Sequence, residues 1–256
     1  MKEKLNFLGK VFCILEILAE KENNSLNKIT KKAGLKKPTI YRVLQQLTEL
    51  GYVTKYEDKY GLSLKFLVFS GKIFKNNQNI RDIAQKYMLG LRDIYDESIN
   101  LALWDKDNNK CVLIETHLST KILRVENKIG DEFSLKNTSV GKAIAANLPW
   151  ETVQQIIEKT KEERHTEHSV TDINEYHKEL IEVKENSYAI DNEETLDGTK
   201  CVGVPIFGAS NTVCGALSIS SPSHRLTDDI LQKMIKDLQI AGHQISFELR
   251  LSKIYQ

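Results

Sequence analysis

Apolar residues fall at helical spacing three times within the first fifty positions. In Leu5–Glu20, LNFLGKVFCILEILAE, the stripe is Leu8, Val11, Phe12, Leu15 and Leu18. It predicts an amphipathic helix with those side chains inward. Asn24 or Ser25 can then cap a short helix that buries Leu26, Ile29 and Ala33, and Gly34 suits the left-handed stop after it. Lys36-Lys37-Pro38 opens a third helix, because proline is tolerated in a first turn. Its inward stripe is Ile40, Val43, Leu44, Leu47 and Leu50, and Gly51 ends it. YVTKYEDKYGLS follows, alternating and turning at Glu57-Asp58-Lys59 as a two-stranded wing would. Helix, helix, tight turn, helix and wing is the plan of a winged helix-turn-helix unit.

The outward positions of the third helix are not an ordinary solvated face of Glu and Lys. They are Thr39, Tyr41, Arg42, Gln45 and Gln46. Hydroxyls, amides and guanidinium groups read base edges and hold phosphates, and the second helix of such a pair lies in the DNA major groove. Lys36 and Lys37 stand at the helix start, where free N–H groups also favour phosphate. Lys55 and Lys59 would set the wing against the backbone beside the groove. Charge agrees. Residues 1–63 carry 12 Lys and Arg against 7 Asp and Glu, a net +5, while the remainder carries 24 against 28, a net −4. A basic head on a mildly acidic body suits a polyanion partner. The competing reading is a small helical bundle with a solvated polar face.

Residues 64–79, LKFLVFSGKIFKNNQN, read as a linker helix. Leu64, Phe66, Leu67, Phe69, Ile73 and Phe74 are too many apolar groups for an exposed connection, so the stripe needs a partner in the same chain or a second copy. A dimer would offer two heads to two half-sites. From residue 80 the rhythm changes. A helix with Ile83, Tyr87, Leu91 and Ile94 inward is followed by two apolar strands around Asp107-Asn108-Asn109 and by extended pieces to about Leu135. Two short helices come next, then a helix capped by Asp172, two strands around Ser210-Asn211 and a long closing helix. The class is α+β multidomain: a head over 1–63, the linker helix over 64–79, and an antiparallel-sheet domain over 80–256.

Composition adds limits. Hydrophobic residues at 41% and charged residues at 28% describe a soluble globular chain. No apolar run is long enough to cross a bilayer, so no membrane partner is expected. The start, MKEKLNFLGK, lacks the apolar core of a signal peptide. Cys13, Cys111, Cys201 and Cys214 show no close pairing, which fits a reduced cytoplasmic setting.

The densest polar cluster is SYAIDNEETLDGTKCVGVPI, with Asp191, Glu193, Glu194 and Asp197 within seven residues. Such carboxylates could do acid/base work, ligate a metal, or shape a turn beside a pocket. No nucleophile–base motif accompanies them and no His falls inside the stretch, which favours the pocket. The enzyme alternative would use Asp191, Glu193 and Cys201 in small-molecule chemistry, with the head as a docking module. A catalytic Cys201 would need a His and an activating environment. His165 and His168 stand three apart, with His177 later, a spacing that could hold zinc on a helical turn. No Cys pair or HExxH accompanies them, so a solvated loop is the better reading, and neither metal nor cofactor is expected. In SLKNTSVGKAIAANLP, Gly141 precedes a helix whose free N–H groups could take a carboxylate. Ser218 and Ser220 lie two apart, hence on one strand face. Together with the carboxylate cluster these suit a polar pocket for a small metabolite; the competing reading is that both serines line an exposed sheet face.

Three stretches, in order, carry a family resemblance: TIYRVLQQLTELGYVTK with YGLS, IGDEFSLKNTSVGKAIAANLP, and YAIDNEETLDGTKCVGVPIF with GALSIS after it. Over essentially its whole length the chain resembles the IclR family of bacterial transcription regulators. The resemblance implies a winged helix-turn-helix, a linker helix and a GAF-like ligand-binding domain. It implies binding of double-stranded operator DNA as a homodimer or homotetramer, and a response to small metabolites, often carboxylated or aromatic. The family's ligand-contacting positions fall on Ser139, Gly141, Asp191, Cys201, Ser218 and Ser220. Two departures stand out. The family often has glycine where Ser139 stands, and its usual Tyr-x-Leu-Gly wing ending is Tyr60-Gly61-Leu62-Ser63 in this chain.

Overall fold

A computed structural model describes residues 6–20, 24–160, 164–208 and 210–254. The first five residues of the segment expected to lack a signal peptide lie outside the described residues. The chain divides into two compact units, up to Asn76 and from Asn77 onward. The segment expected as one linker is therefore divided, most of it in the first unit. Among the described residues no helix is long and apolar enough to cross a membrane.

The first unit begins with α1 (Phe7–Glu20), whose buried residues are Cys13, Ile14, Ile17 and Leu18. Of the expected stripe, Leu18 is buried and Val11 and Leu15 pack in part, while two members face outward. Leu8 is 62% and Phe12 61% exposed. This helix is apolar on more than one side, so periodicity alone could not choose the side that meets its neighbours. β1 (Asn24–Ser25) is a two-residue strand that pairs with the wing, and pattern alone did not announce it. α2 (Leu26–Ala33) starts on Ser25, whose hydroxyl accepts the Lys28 N–H, and ends on Gly34 at φ 64°. α3 (Lys37–Glu49) carries Pro38 in its first turn and buries Ile40, Val43, Leu44 and Leu47. Leu50, expected inward, is 60% exposed, because it caps the helix after the last buried turn. Gly51 follows at φ 78°. The wing is β2 (Val53–Tyr56) and β3 (Lys59–Leu62), giving a sheet in the order β1-β3-β2.

A 3-10 turn over Leu64–Phe66 leads into α4 (Leu67–Asn76). Phe66 and Phe69 gather around Tyr52, with ring centroids 5.5 and 6.2 Å from it. Lys65 reaches back to donate to the Leu50 carbonyl at 2.8 Å. Elsewhere the apolar stripe stays exposed: Leu64 is 81% exposed, and Leu67 and Val68 are exposed as well.

The second unit opens with α5 (Gln78–Tyr95). Its inward residues are Ile80, Ala84, Met88 and Leu91. Ile83 and Tyr87 pack only in part, and Ile94, expected inward, is exposed. Strands β4 (Ser98–Asp105), β5 (Lys110–His117), β6 (Glu132–Phe133), β7 (Ala189–Asn192), β8 (Thr199–Phe207) and β9 (Val213–Pro222) form one sheet. Its order is β6-β5-β4-β9-β8-β7, and every pairing is antiparallel. The helices are α6 (Ser139–Ala145), α7 (Trp150–Thr160), α8 (Ile173–Asn186) and α9 (Asp228–Ile254). Asp172 caps α8 through the Asn174 and Glu175 N–H groups. The extended pieces expected before Leu135 are mostly irregular backbone, with β6 the one short strand among the described residues there.

The sheet separates two cores. Leu217 and Ile219 of β9 join α5 and α9 on one face, while Ala216 joins α6, α7 and α8 on the other. Alternation along β9 therefore turns Ser218 and Ser220 toward the α6 side. On that side the helices stop short of covering the sheet, and a cavity remains.

Candidate DNA interface and effector cavity

On α3, helical geometry puts Arg42 and Gln45 opposite the stripe of Ile40, Val43, Leu44 and Leu47. Lys36, Lys37, Tyr41, Arg42, Gln45 and Gln46 are exposed, and Thr39 is half-buried at the edge of the face. Tyr41 and Gln45 share a shallow cleft with Glu49, Lys55 and Tyr60, so α3 and the wing form one surface. Lys55 holds its ammonium 5.7 Å from the Tyr60 ring centroid, and Lys59 is exposed on the next strand. Sequence reasoning missed Glu49. Its Oε1 accepts from Gln45 Nε2 at 3.0 Å and orients that amide on the exposed face of α3.

The cavity of the second unit has a volume of ≈110 Å³. Sheet register builds its floor. Asp191 pairs with Cys201, Cys201 with Ser220, and Ser220 with Ser98. One row over, Gly203 pairs with Ser218 and Ser218 with Asn100. Ser139, Asp191, Cys201, Ser218 and Ser220, gathered from distant parts of the sequence, line this one space. Gly203 lets the start of α6 lie on the floor: a Cβ there would meet the Ser139 carbonyl carbon and oxygen at 2.6 Å.

Gly141, the sixth expected ligand residue, is not among the lining residues. Its N–H is spent on the Thr138 hydroxyl, at 3.0 Å, as the cap of α6. Its own reason for being glycine is packing, since a Cβ would fall 1.9 Å from the Ser134 carbonyl oxygen.

Sequence reading missed Asn100, Asn127, Phe133, Thr138 and Thr195, all in the lining. Asn100 had a signal, a polar residue between Ile99 and Leu101 in an apolar strand. Its Oδ1 accepts from Thr116 at 2.9 Å and its Nδ2 donates to Ser220 Oγ at 3.1 Å, which fixes the amide. Val125 and Asn127 come from the irregular segment between β5 and β6. That segment is tied down by Ser98 Oγ, which donates to the Val125 carbonyl at 2.6 Å, and by Asp96, which accepts the Thr120 N–H at 2.8 Å.

Asp191 is almost wholly buried. Its Oδ1 accepts the N–H groups of Glu194 at 2.8 Å and Thr195 at 3.3 Å, so it shapes the turn after β7. Burial raises its carboxyl above the ordinary value, against the hydrogen bonds that lower it. Desolvation, with the nearby Asp191 charge, pushes the Cys201 thiol up to about 12. A thiol held protonated is no nucleophile. Glu193 lies outside the lining, and its Oε2 accepts the Gly198 N–H at 2.7 Å. That bond, first among several, holds its carboxyl below the ordinary value. The trio Asp191, Glu193 and Cys201 is thus not assembled as an acid, a base and a nucleophile around one point.

Behind the cavity, Lys142 of α6 is completely buried. Its Nζ lies 2.5 Å from Glu179 Oε1, 2.5 Å from Glu194 Oε1 and 3.0 Å from the Ile190 carbonyl. A buried lysine reads as a surface residue in sequence and gave no signal. His168 approaches Glu193 and Asp197, with ligand-type atoms within 4.8 Å of one another at the surface. His165 is outside this group, and His177 instead stacks on Trp150 at 3.8 Å between ring centroids.

Comparison with known proteins follows the two units. The model of the IclR helix-turn-helix domain matches residues 8–56, and that of the bacterial transcriptional regulator IclR C-terminal domain matches residues 74–247. The HTH-type transcriptional regulator KdgR of Escherichia coli is 33% identical over 242 residues, which cover 94% of this chain and 91% of that protein. The crystal structure of the Thermotoga maritima IclR superposes with a TM-score of 0.76 at 26% identity, covering 95% of this chain and 98% of that one. An IclR homolog from Microbacterium hydrocarbonoxydans, complexed with 4-hydroxybenzoate, shares the fold with a TM-score of 0.77 at 19% identity, covering 96% of this chain and all of the other. A DNA-reading head and a cavity-bearing C-terminal domain, each matched by its own family model, make this chain a member of the IclR family of DNA-binding bacterial transcriptional regulators.

Proposed function

We propose that α3 reads operator DNA in the major groove and that the cavity of the second unit takes the small-molecule effector. Arg42, Gln45, Gln46, Tyr41 and Thr39 face the base edges or clamp the groove. Lys36, Lys37, Lys55 and Lys59 meet phosphates. What carries the reading is the exposed face of α3, with Arg42 and Gln45 opposite its buried stripe and Lys55 of the wing beside it. Ser139, Asp191, Cys201, Ser218 and Ser220 contact the effector.

The protein acts as a homodimer or a homotetramer. The exposed stripe of Leu64, Leu67 and Val68 supports a second copy as its cover. Effector and operator are linked, so each changes the affinity for the other by the same factor. The family resemblance implies a carboxylated or aromatic effector, and the Microbacterium relative is complexed with 4-hydroxybenzoate. The lining of this cavity holds no Lys, Arg or His.

The test is fluorescence anisotropy of the full chain on a duplex from upstream of its own gene and on a scrambled duplex, across a salt series. Preference for the upstream duplex, with affinity falling as salt rises, is expected. Equal affinity for both at every salt concentration removes α3 from sequence readout at that site.

A further inference from the structure

We propose that His168, Glu193 and Asp197 form a surface site for one divalent transition-metal ion of the Zn²⁺ class, beside the cavity of the second unit. One ligand-type atom of each side chain lies within 4.8 Å of the other two. None of the three lines the cavity, so the site stands apart from the effector reading.

The imidazole and the carboxylates come from different segments, and hydrogen bonds fix those segments against each other. The loop between β7 and β8 is closed by the Glu193 N–H, which donates to the Thr199 carbonyl at 2.9 Å. Glu193 Oε2 closes it again by accepting the Gly198 N–H at 2.7 Å. The turn that carries His168 docks on this loop through two hydroxyls. Thr166 Oγ1 donates to the Glu193 carbonyl at 2.6 Å, and Ser169 Oγ donates to the Glu194 carbonyl at 2.7 Å. Thr166 Oγ1 also accepts the N–H of His168 at 3.1 Å. The backbone under the three ligands is thus set in advance, and only side-chain tips need to adjust. Bonds of about 2.1 Å to zinc place tetrahedral ligand atoms about 3.4 Å apart. Tips that already lie within 4.8 Å of one another close by about an ångström or so to reach that spacing.

The donor set chooses the class of ion. An imidazole with two carboxylates suits zinc and its neighbours, whereas Mg²⁺ and Ca²⁺ take all-oxygen shells. The Gly198 N–H, first among several causes, holds the Glu193 carboxyl below its ordinary value, which keeps it ionised. A ligating imidazole is neutral, so the bound trio carries two negative charges for the ion to balance. The Lys200 ammonium also acts on Glu193 and is the competing source of positive charge. Thr195 and Leu196 stand between Glu193 and Asp197 in the chain, and both line the cavity. An ion that holds Glu193 and Asp197 to His168 therefore clamps one wall of that space.

The experiment is calorimetric titration of the reduced, tag-free full chain with Zn²⁺, Mn²⁺ and Mg²⁺ near neutral pH, followed by amide hydrogen exchange with and without Zn²⁺. Saturable binding of one Zn²⁺ per chain is expected, with Mn²⁺ weaker and Mg²⁺ unable to compete. His168→Ala and Asp197→Asn should each weaken Zn²⁺ by about tenfold or more, since loss of an outer partner of a ligand alone costs that much. His165→Ala should keep the parental affinity, because His165 stands outside the group. Zn²⁺ should slow exchange in the peptide spanning 193–199 of the parent and not of His168→Ala. No binding of Zn²⁺, or binding that His168→Ala and Asp197→Asn leave unchanged, overturns the proposal and assigns the carboxylates to Lys200. Binding at these residues with unchanged exchange over 193–199 upholds the site and overturns the clamp.

Discussion

Lys142 and Glu194 form a buried ion pair, 2.5 Å from Nζ to Oε1, that ties α6 to the turn after β7. The same turn holds Asp191 on the cavity floor through the Glu194 and Thr195 N–H groups. One ammonium serves two carboxylates, and the second oxygens of Glu179 and Glu194 are buried without a hydrogen-bond partner. Burial accordingly raises the Glu194 carboxyl above its ordinary value, while Lys142 pulls it down. Removing the cation leaves two uncompensated carboxylates, so Lys142→Met should destabilise the second unit by about 3–5 kcal/mol. Adding Glu194→Gln and Glu179→Gln should recover most of that loss. Urea unfolding of the three proteins measures it, and equal midpoints for Lys142→Met and the parent would mean that the pair contributes nothing.

Arg42→Ala should weaken operator binding by about one to three kcal/mol and relax preference at one base position. Lys36→Ala and Lys37→Ala should act differently. Each should lower affinity for all duplexes alike and reduce the slope of log affinity against log salt by about one. Anisotropy on operator and scrambled duplexes distinguishes these. A folded Arg42→Ala protein with parental affinity removes that guanidinium from the interface.

Cys201 should resist alkylation at pH 8 in the native protein, since its thiol is pushed up to about 12 and only the thiolate reacts. Mass spectrometry of the labelled peptide, native against urea-unfolded, reads this directly. Cys201→Ser should keep operator binding. Rapid native labelling would reopen nucleophilic chemistry at this position.

Gly141 and Gly203 are both predicted intolerant of alanine, for steric reasons on opposite sides of α6. The new Cβ would meet Ser134 backbone at 1.9 Å in one case and Ser139 backbone at 2.6 Å in the other. Neither obstacle is a flexible side-chain tip, so the helix must shift. Each change should cost about 1–3 kcal/mol in thermal or urea unfolding and weaken the effector response. Unchanged stability in both would show that α6 moves freely on the sheet.

The cap of α8 should give a pH signature. Backbone hydrogen bonds from Glu175 and then Asn174 hold the Asp172 carboxyl below its ordinary value. A carboxyl depressed in the folded state stabilises fully above its unfolded pKa, about 4, and loses that contribution as pH falls through the folded value. Asp172→Asn should therefore lower the melting temperature at pH 7, less at pH 4, and leave it unchanged below pH 2.

Much of this protein was written locally. Ser25, Gly34, Pro38, Gly51 and Asp172 bound their helices where the sequence placed them, because caps and stops act within a few residues along the chain. The β4–β5 and β8–β9 hairpins turn where Asn109 and Asn211 adopt positive φ. Which side of an apolar helix is buried was not local. Leu8 and Phe12 of α1 and Ile94 of α5 point outward, because neighbouring elements choose among several apolar faces that periodicity leaves equivalent. The cavity lay further still from view. Asp191, Cys201 and Ser220 become neighbours only through strand register, and Asn100 joins them only when β4 pairs with β9. Lys142 reads in sequence as a solvated lysine, and only the closing of α6 between α8 and the sheet makes it a buried cation. Residue types and caps come from the chain's own chemistry over a few positions. Burial and the shared charge of the cavity arise from contacts between segments far apart in sequence, which tertiary packing alone decides.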